Sequence, residues 1–165
     1  MKPITAADVV NELENLRFPK DVGQDSNKLF AHCFGDFEVF ADGKAVSFER
    51  AKTKELLAFL VDRRGAIVSL REAEAVLWEE PPSGNRVSGS YLRTLVADLK
   101  RSLEACGHAN VLIKRRGEIG LDTTLLNCDY YEFLRGNPQA INLWRGEYMN
   151  QYSWAEPTKA ALLRQ

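Results

Sequence analysis

Seven lysine and arginine residues lie between positions 86 and 116, where they give the sequence a local excess of positive charge. The same stretch contains two acids, so its formal charge is +5, whereas the whole chain of 165 residues carries −1 and the remainder therefore −6. Guanidinium and ammonium groups gathered on an otherwise acidic protein are typical of a surface that binds phosphate. The basic residues are Arg86, Arg93, Lys100, Arg101, Lys114, Arg115 and Arg116, and the acids are Asp98 and Glu104.

Residue types that catalyse reactions or bind metals are sparse and scattered in this sequence. Because the three cysteines form no C-x-x-C pair, we expect free, mostly buried thiols and no metal site. Neighbouring residues of a strand point to opposite faces, which argues against a catalytic pair of His32 and Cys33. We therefore expect no enzymatic activity, no cofactor and no small-molecule ligand. The cysteines are Cys33, Cys106 and Cys128, and the histidines are His32 and His108.

The composition, 45% hydrophobic and 27% charged residues, is typical of a soluble globular protein. No stretch approaches the roughly 18 uninterrupted apolar residues of a membrane span. The N-terminus leads into a charged segment without the apolar core of a signal peptide, so the expected location is cytoplasmic and no membrane partner is expected.

The first 48 residues divide into three predicted segments. A capping box at residues 5–8 and apolar residues spaced for a helix predict a helix over residues 5–17. The polar residues 20–28 then form a predicted linker. Residues 29–48 alternate apolar and polar positions around the pair Asp42 and Gly43, which predicts about three short antiparallel strands.

Helical patterns dominate the middle of the chain. Apolar residues at helical spacing predict a helix over residues 51–64, and a capping box from Ser69 to Glu72 opens a second helix that ends near Trp78. A loop with two prolines follows, and the longest helix is predicted over residues 86–105. Its apolar stripe consists of Leu92, Leu95, Val96, Leu99 and Leu103.

A hairpin and a helical tail complete the chain. Residues 67–68 are a predicted short strand, and residues 111–116 and 119–122 are predicted to pair as a hairpin. Three short helical signals follow in residues 127–165. The predicted fold class is therefore α+β: a winged helix-turn-helix with an N-terminal antiparallel sheet, a three-helix core, a C-terminal β wing and a helical extension.

The order of elements indicates how the basic residues would be used. An apolar stripe that docks the long helix on two others leaves its opposite face free to enter a DNA major groove, which is about 12 Å wide. The predicted free face holds Ser90, Tyr91, Arg93, Thr94, Ala97, Asp98, Lys100 and Arg101. The predicted wing brings Lys114, Arg115 and Arg116 to phosphates or the neighbouring minor groove.

Four motifs in this order resemble those of a known family. Residues 92–103 resemble the recognition helix of OmpR/PhoB-type and SARP-type regulators, and residues 113–122 resemble their wing. Residues 53–57 and 76–78 are similar to the first and second helices of these domains. The resemblance covers about residues 29–125 and implies a sequence-specific, DNA-binding transcription regulator whose partner is double-stranded DNA.

Both ends of the chain carry further resemblances. Residues 129–134, 145–149 and 152–156 are similar to the tail of SARP-like response regulators. Lys2 and Pro3, followed by a capped helix, resemble the end of a receiver domain, which implies the output half of a two-component phosphorelay. The predicted organisation is an N-terminal helix at 1–19, a linker at 20–28, a DNA-binding domain at 29–125 and a helical extension at 126–165.

Several residues admit more than one interpretation. Asp98 stands where family members usually have a basic residue, so it either accepts a hydrogen bond from cytosine, is an incidental solvent-facing charge, or weakens DNA binding. Arg50 and Lys52 either contact phosphate or are simply exposed. Tyr91 either contacts the DNA backbone or caps a loop of its own domain.

The proline loop before the long helix has its own interpretation. In the family that the chain resembles, this loop contacts RNA polymerase, which would assign that contact to Glu79, Glu80 and Asn85; the alternative is a plain spacer. A homodimer on repeated DNA sites is a further expectation. The main rival interpretation of the whole chain is a winged-helix protein-interaction module without significant DNA affinity.

Overall fold

The computed structural model of the protein describes residues 28–78 and 89–165, except the side chain of Ser90. The predicted helix at 5–17, the predicted linker and the proline loop therefore lie outside the described residues, together with Arg86. The described residues contain seven strands: β1 (Leu29–His32), β2 (Glu38–Ala41), β3 (Lys44–Ala45), β4 (Val68–Ser69), β5 (Leu112–Arg115), β6 (Glu118–Leu121) and β7 (Leu126–Cys128). The six described α-helices are α1 (Ala51–Asp62), α2 (Leu70–Leu77), α3 (Gly89–Ala105), α4 (Asp129–Leu134), α5 (Pro138–Leu143) and α6 (Glu156–Leu163).

The mixed α+β chain divides into two compact units. The helix–wing unit consists of Ser47–Thr123 and Tyr152–Ala155. The sheet–tail unit consists, within the described residues, of 28–46, 124–151 and 156–165. This grouping joins the N-terminal strands with the tail, whereas the sequence-based division separates them at residue 125.

The helix–wing unit contains the three helices predicted for the core. Helix α1 ends where two successive residues, Arg64 and Gly65, adopt positive φ angles of 56° and 88°. Helix α2 begins at the predicted capping box, because the Ser69 hydroxyl accepts a hydrogen bond from the Glu72 N–H at 3.0 Å. These two helices confirm the predicted elements to within two residues at their ends.

Helix α3 presents the predicted apolar stripe to the core of this unit. All five stripe residues are buried, and all but Val96 have no exposed surface. Leu56, Leu57 and Leu60 of α1 are buried as well, and α1 packs against α3. Burial of a leucine side chain contributes about 1.5–3 kcal/mol, so this stripe fixes which face of α3 remains outside.

The hairpin of this unit belongs to a three-stranded sheet in the order β4-β6-β5. Strands β5 and β6 pair antiparallel, with Lys114 opposite Ile119 and Arg115 opposite Glu118. Gly117 makes the turn with a φ of 72°, which is a conformation that glycine adopts without strain. The predicted hairpin and the short strand near residue 68 are therefore confirmed.

The sheet–tail unit is built on a four-stranded sheet in the order β3-β2-β1-β7. The three predicted N-terminal strands are present and antiparallel, but β7 joins them in parallel, with Leu29 opposite Leu126. The prediction of an antiparallel sheet followed by a purely helical extension is therefore wrong at this point. Since parallel strands pair only through long connections, no local turn signal marks such a partner.

The three helices of the tail follow the predicted signals. Helix α5 begins with Asn137 as its cap, whose side chain accepts a hydrogen bond from the Gln139 N–H at 2.9 Å, and with proline in its first turn. Of the helices within 28–78 and 89–165, none combines the length and apolar character that crossing a membrane requires.

Candidate nucleic-acid interface

The first half of α3 carries exposed side chains that can meet a nucleic acid. Arg93 and Thr94 are exposed, and Tyr91 retains 41% of its surface. These residues alternate with those of the buried stripe along the chain, and the helical period places them on the outer side of α3. Ser90 begins the same turn, but its side chain lies outside the described residues.

The wing carries three consecutive cations at its tip. Lys114, Arg115 and Arg116 are all exposed, and they directly precede the turn at Gly117. The hairpin holds their backbone through the pairing of β5 with β6. Long basic side chains on such a hairpin can reach phosphates without entering a groove.

Asp98 does not lie on the exposed face of α3, so the prediction that placed it there is wrong. Only 1% of its surface is exposed, and its carboxylate pairs with the guanidinium groups of Arg50 and Arg101. A carboxylate held in this way has no edge available for a cytosine amino group. Its neighbour Ala97 is half-buried.

Arg50, Arg101 and Glu49 complete an ion-pair group around this carboxylate, here called the acid–arginine cluster. The Arg101 Nη2 lies 3.8 Å from the Glu49 Oε2, and both of these side chains are more than 60% exposed. Arg50 precedes α1 in extended conformation and provides no side-chain cap. A cation at a helix N-terminus is electrostatically unfavourable, and the buried Asp98 offsets that cost.

Lys100 has a weaker ionic contact than the arginines of the cluster. Its amino nitrogen lies 3.9 Å from the Glu104 carboxylate, and both side chains are about half exposed. Exposed pairs of this kind contribute at most about 1 kcal/mol. Lys100 therefore stays available for a phosphate.

Lys52 contacts groups of its own unit. Its ammonium donates a hydrogen bond to the Leu77 carbonyl at 2.6 Å and another to Glu55 at 3.0 Å. The same nitrogen lies 5.5 Å from the ring centroid of Trp78. A cation on the last carbonyls of a helix stabilises its C-terminus, so Lys52 acts here as a cap for α2.

Two aromatic rings bracket the proline loop. Trp78 follows α2 and Tyr91 lies in the first turn of α3, and their ring centroids are 5.3 Å apart. The segment that connects them contains Glu79, Glu80 and Asn85, which lie outside the described residues. The Tyr91 ring therefore contacts Trp78 of its own unit.

The sheet–tail unit contains a buried polar group that the sequence did not indicate. The Asp129 carboxylate accepts hydrogen bonds from the backbone N–H groups of Cys33, Phe34 and Tyr130 at 2.8–3.1 Å. Burial raises the pKa of Asp129 above its ordinary 3.8, while nearby His32 and these N–H groups act in the opposite direction. The carboxylate thus holds the end of β1 against the start of α4.

Two of the three cysteines meet beside this carboxylate. The Sγ atoms of Cys33 and Cys128 lie 3.5 Å apart, and both residues are buried. Together with Asp129 they place three metal-ligand atoms within 4.8 Å. Because both Asp129 oxygens already accept backbone hydrogen bonds, the arrangement is a satisfied core group. The two cysteines are 95 positions apart in the sequence, which explains why no sequence spacing revealed the arrangement.

Comparisons with known proteins found a solved structure with a similar fold. No family model matches the chain, and no curated protein matches it. Among solved structures, the chain is similar to EmbR of Mycobacterium tuberculosis, solved in complex with a low-affinity phosphopeptide, at 24% identity and a TM-score of 0.63. The match covers 83% of this chain and spans 42% of the EmbR chain. This likeness shows the fold alone, that of a mixed α+β chain with the sheets and helices given above.

Proposed function

We propose that this chain is the sequence-specific DNA-binding domain of a transcription regulator. The observation that carries the proposal is the exposed face of α3, with Arg93 and Thr94, in the same compact unit as the three wing cations. The buried stripe on the opposite side of α3 leaves this face outside the hydrophobic core. A helix so exposed fits the width of a major groove.

The proposed mechanism divides the work between helix and wing. Ser90, Tyr91, Arg93 and Thr94 on the first half of α3 approach base edges or the adjacent phosphates. Lys100, with its weak ionic contact, and the wing cations neutralise phosphates. The phosphate contacts supply affinity that does not depend on sequence, and the base contacts supply discrimination.

The sequence resemblance and the fold together support the proposed type of regulator. The likeness to EmbR supports a SARP-type regulator domain. The phosphopeptide in that structure is a partner of EmbR, and our proposal concerns DNA. From the N-terminal motif we further propose that the chain is the output half of a two-component response regulator, with dimerisation on repeated sites and polymerase contact through the proline loop.

Selection from a randomised duplex pool, followed by binding titrations at several salt concentrations, tests the proposal. We expect an enriched motif and an affinity that falls steeply with salt, by about 0.9 in the log–log slope for each neutralised phosphate. Arg115→Ala should weaken binding to selected and unselected duplexes alike, whereas Thr94→Ala should alter the selected motif. An unenriched pool with weak binding even at low salt would contradict the proposal.

The alternative function is a protein-interaction module, and two observations favour it. The acid–arginine cluster neutralises two of the cations near α3, and the net charge of the chain is −1. In that case the exposed face of α3 would bind a protein, and salt would affect binding to duplex DNA little. The same titrations therefore separate the two functions.

A further inference from the structure

The cations around α3 fall into two classes that the sequence does not distinguish. Arg50 and Arg101 pair with a carboxylate whose side chain has no exposed surface. Arg93 is exposed, and no ion pair involves it within residues 28–78 and 91–165. Lys100 lies between these cases, since its contact with Glu104 is long and solvent-exposed.

The cost of releasing the two arginines differs from that of an ordinary surface pair. Leaving a buried carboxylate without its countercharge is strongly destabilising, whereas breaking an exposed ion pair costs little. A phosphate that drew Arg50 or Arg101 away would leave Asp98 undercompensated in the core. Binding of a phosphate by Arg50 or Arg101 would therefore have to offset the cost of leaving Asp98 without its partner. Binding by Arg93 has no such cost.

We infer that Asp98 is a positioning residue that withholds Arg50 and Arg101 from DNA, so that phosphate contact is confined to the first half of α3, Lys100 and the wing. Asp98 acts as an internal substitute for phosphate and limits the sequence-independent part of the affinity. It also ties the start of α1 to the middle of α3. This inference rests on the proposed function.

Salt titrations with two pairs of charge-matched variants on α3 test the inference. Arg93→Ala and Arg101→Ala each remove one cation, and Asp98→Asn and Glu104→Gln each remove one acid. The probes are the selected duplex and an unselected duplex of equal length. Near-ultraviolet circular dichroism first establishes that each variant is folded.

The four variants should separate cleanly. Arg93→Ala should reduce the magnitude of the slope of log affinity against log salt concentration by about 0.9, the value of one phosphate. Arg101→Ala should leave this slope unchanged. Asp98→Asn should increase the magnitude of the slope by about 0.9 to 1.8, for one or two released arginines, and should strengthen binding to the unselected duplex. Glu104→Gln, with the same change of net charge but no buried pair, should have a clearly smaller effect.

Each failure has a separate meaning. A slope reduced equally by Arg101→Ala and Arg93→Ala would overturn the inference while the proposed function stands. Equal effects of Asp98→Asn and Glu104→Gln would do the same. If Asp98→Asn does not fold, the two arginine variants decide alone. A wild-type chain without salt-dependent binding would overturn the proposed function, and this inference with it.

Discussion

Trp78 and Tyr91 pack ring against ring, with centroids 5.3 Å apart and planes inclined by 57°, at the two ends of the segment 79–88. The Lys52 ammonium lies 5.5 Å from the Trp78 ring centroid. The contact gives Tyr91 a packing role inside its own unit. This role can be separated from any contact that its hydroxyl makes with DNA.

Tyr91→Ala should lower the free energy of unfolding by about 1 kcal/mol, because it removes the aromatic pair but leaves the rest of α3 unchanged. Tyr91→Phe keeps the ring and should leave stability within about 0.5 kcal/mol of wild type. Urea unfolding followed by tryptophan fluorescence measures both. Equal losses in the two variants would show that the hydroxyl, rather than the ring, stabilises this region.

Asp129 should make stability depend on pH in acid solution. Because burial raises the pKa of this carboxyl in the folded state, the folded protein binds its proton more tightly than the unfolded chain does. The contribution of Asp129 to stability is therefore greatest below the ordinary value of 3.8, falls as pH rises through the folded-state pKa, and is constant above it.

Unfolding of wild type and Asp129→Asn across this pH range isolates the effect. The difference in unfolding free energy, wild type minus variant, should decrease as the pH rises from the ordinary value through the folded-state pKa. A difference that instead grows over this interval would mean that the backbone N–H donors dominate and that the pKa is lowered.

The three thiols should differ in reactivity. Cys33 and Cys128 are buried, whereas Cys106 is half-buried and its Sγ lies 3.3 Å from the Leu103 carbonyl oxygen. Cys106 should react with iodoacetamide first, and the buried pair only as fast as the sheet–tail unit opens. Peptide mass spectrometry of timed samples measures this order. Labelling of all three at one rate in the folded protein would contradict the packing around β1 and β7.

Adding a side chain to a glycine of the wing should cost little stability at the turn, Gly117, and more beside β4, at Gly120. A methyl group at Gly120 would lie 2.6 Å from the Ile67 side chain and 3.3 Å from the Ala66 carbonyl oxygen. The end of the Ile67 side chain can rotate away, but the Ala66 backbone must shift, so Gly120→Ala should destabilise the protein by about 1–2 kcal/mol. Thermal unfolding measures the loss.

Gly117→Asn is the matched control for this variant. Gly117 has a φ of 72°, and a methyl group added there would meet no atom within 4 Å apart from those of its chain neighbours. Asparagine tolerates this backbone conformation, so the cost should stay below about 1 kcal/mol. A larger loss at Gly117 than at Gly120 would argue against the observed hairpin register.

Local signals predicted most of the elements because those signals act over a few residues. Ser69 and Asn137 cap helices through their own side chains, and the α3 stripe reflects a helical period that any amphipathic helix must have. The wing follows from apolar runs around a glycine turn. The partner of β1 escaped prediction because β7 lies almost one hundred positions away and carries only three residues.

Periodicity and turn chemistry are enough to specify the order of helices and hairpin, the buried side of α3 and the cations of the exposed wing. Which cations remain available for a ligand depends instead on contacts between distant parts of the chain. Asp98 lies three positions after Leu95 and one before Leu99, at the edge of the stripe, where helical period alone does not define the width of the buried face. The start of α1 brings Arg50 to that edge, and the ion pair then takes Asp98 out of solvent.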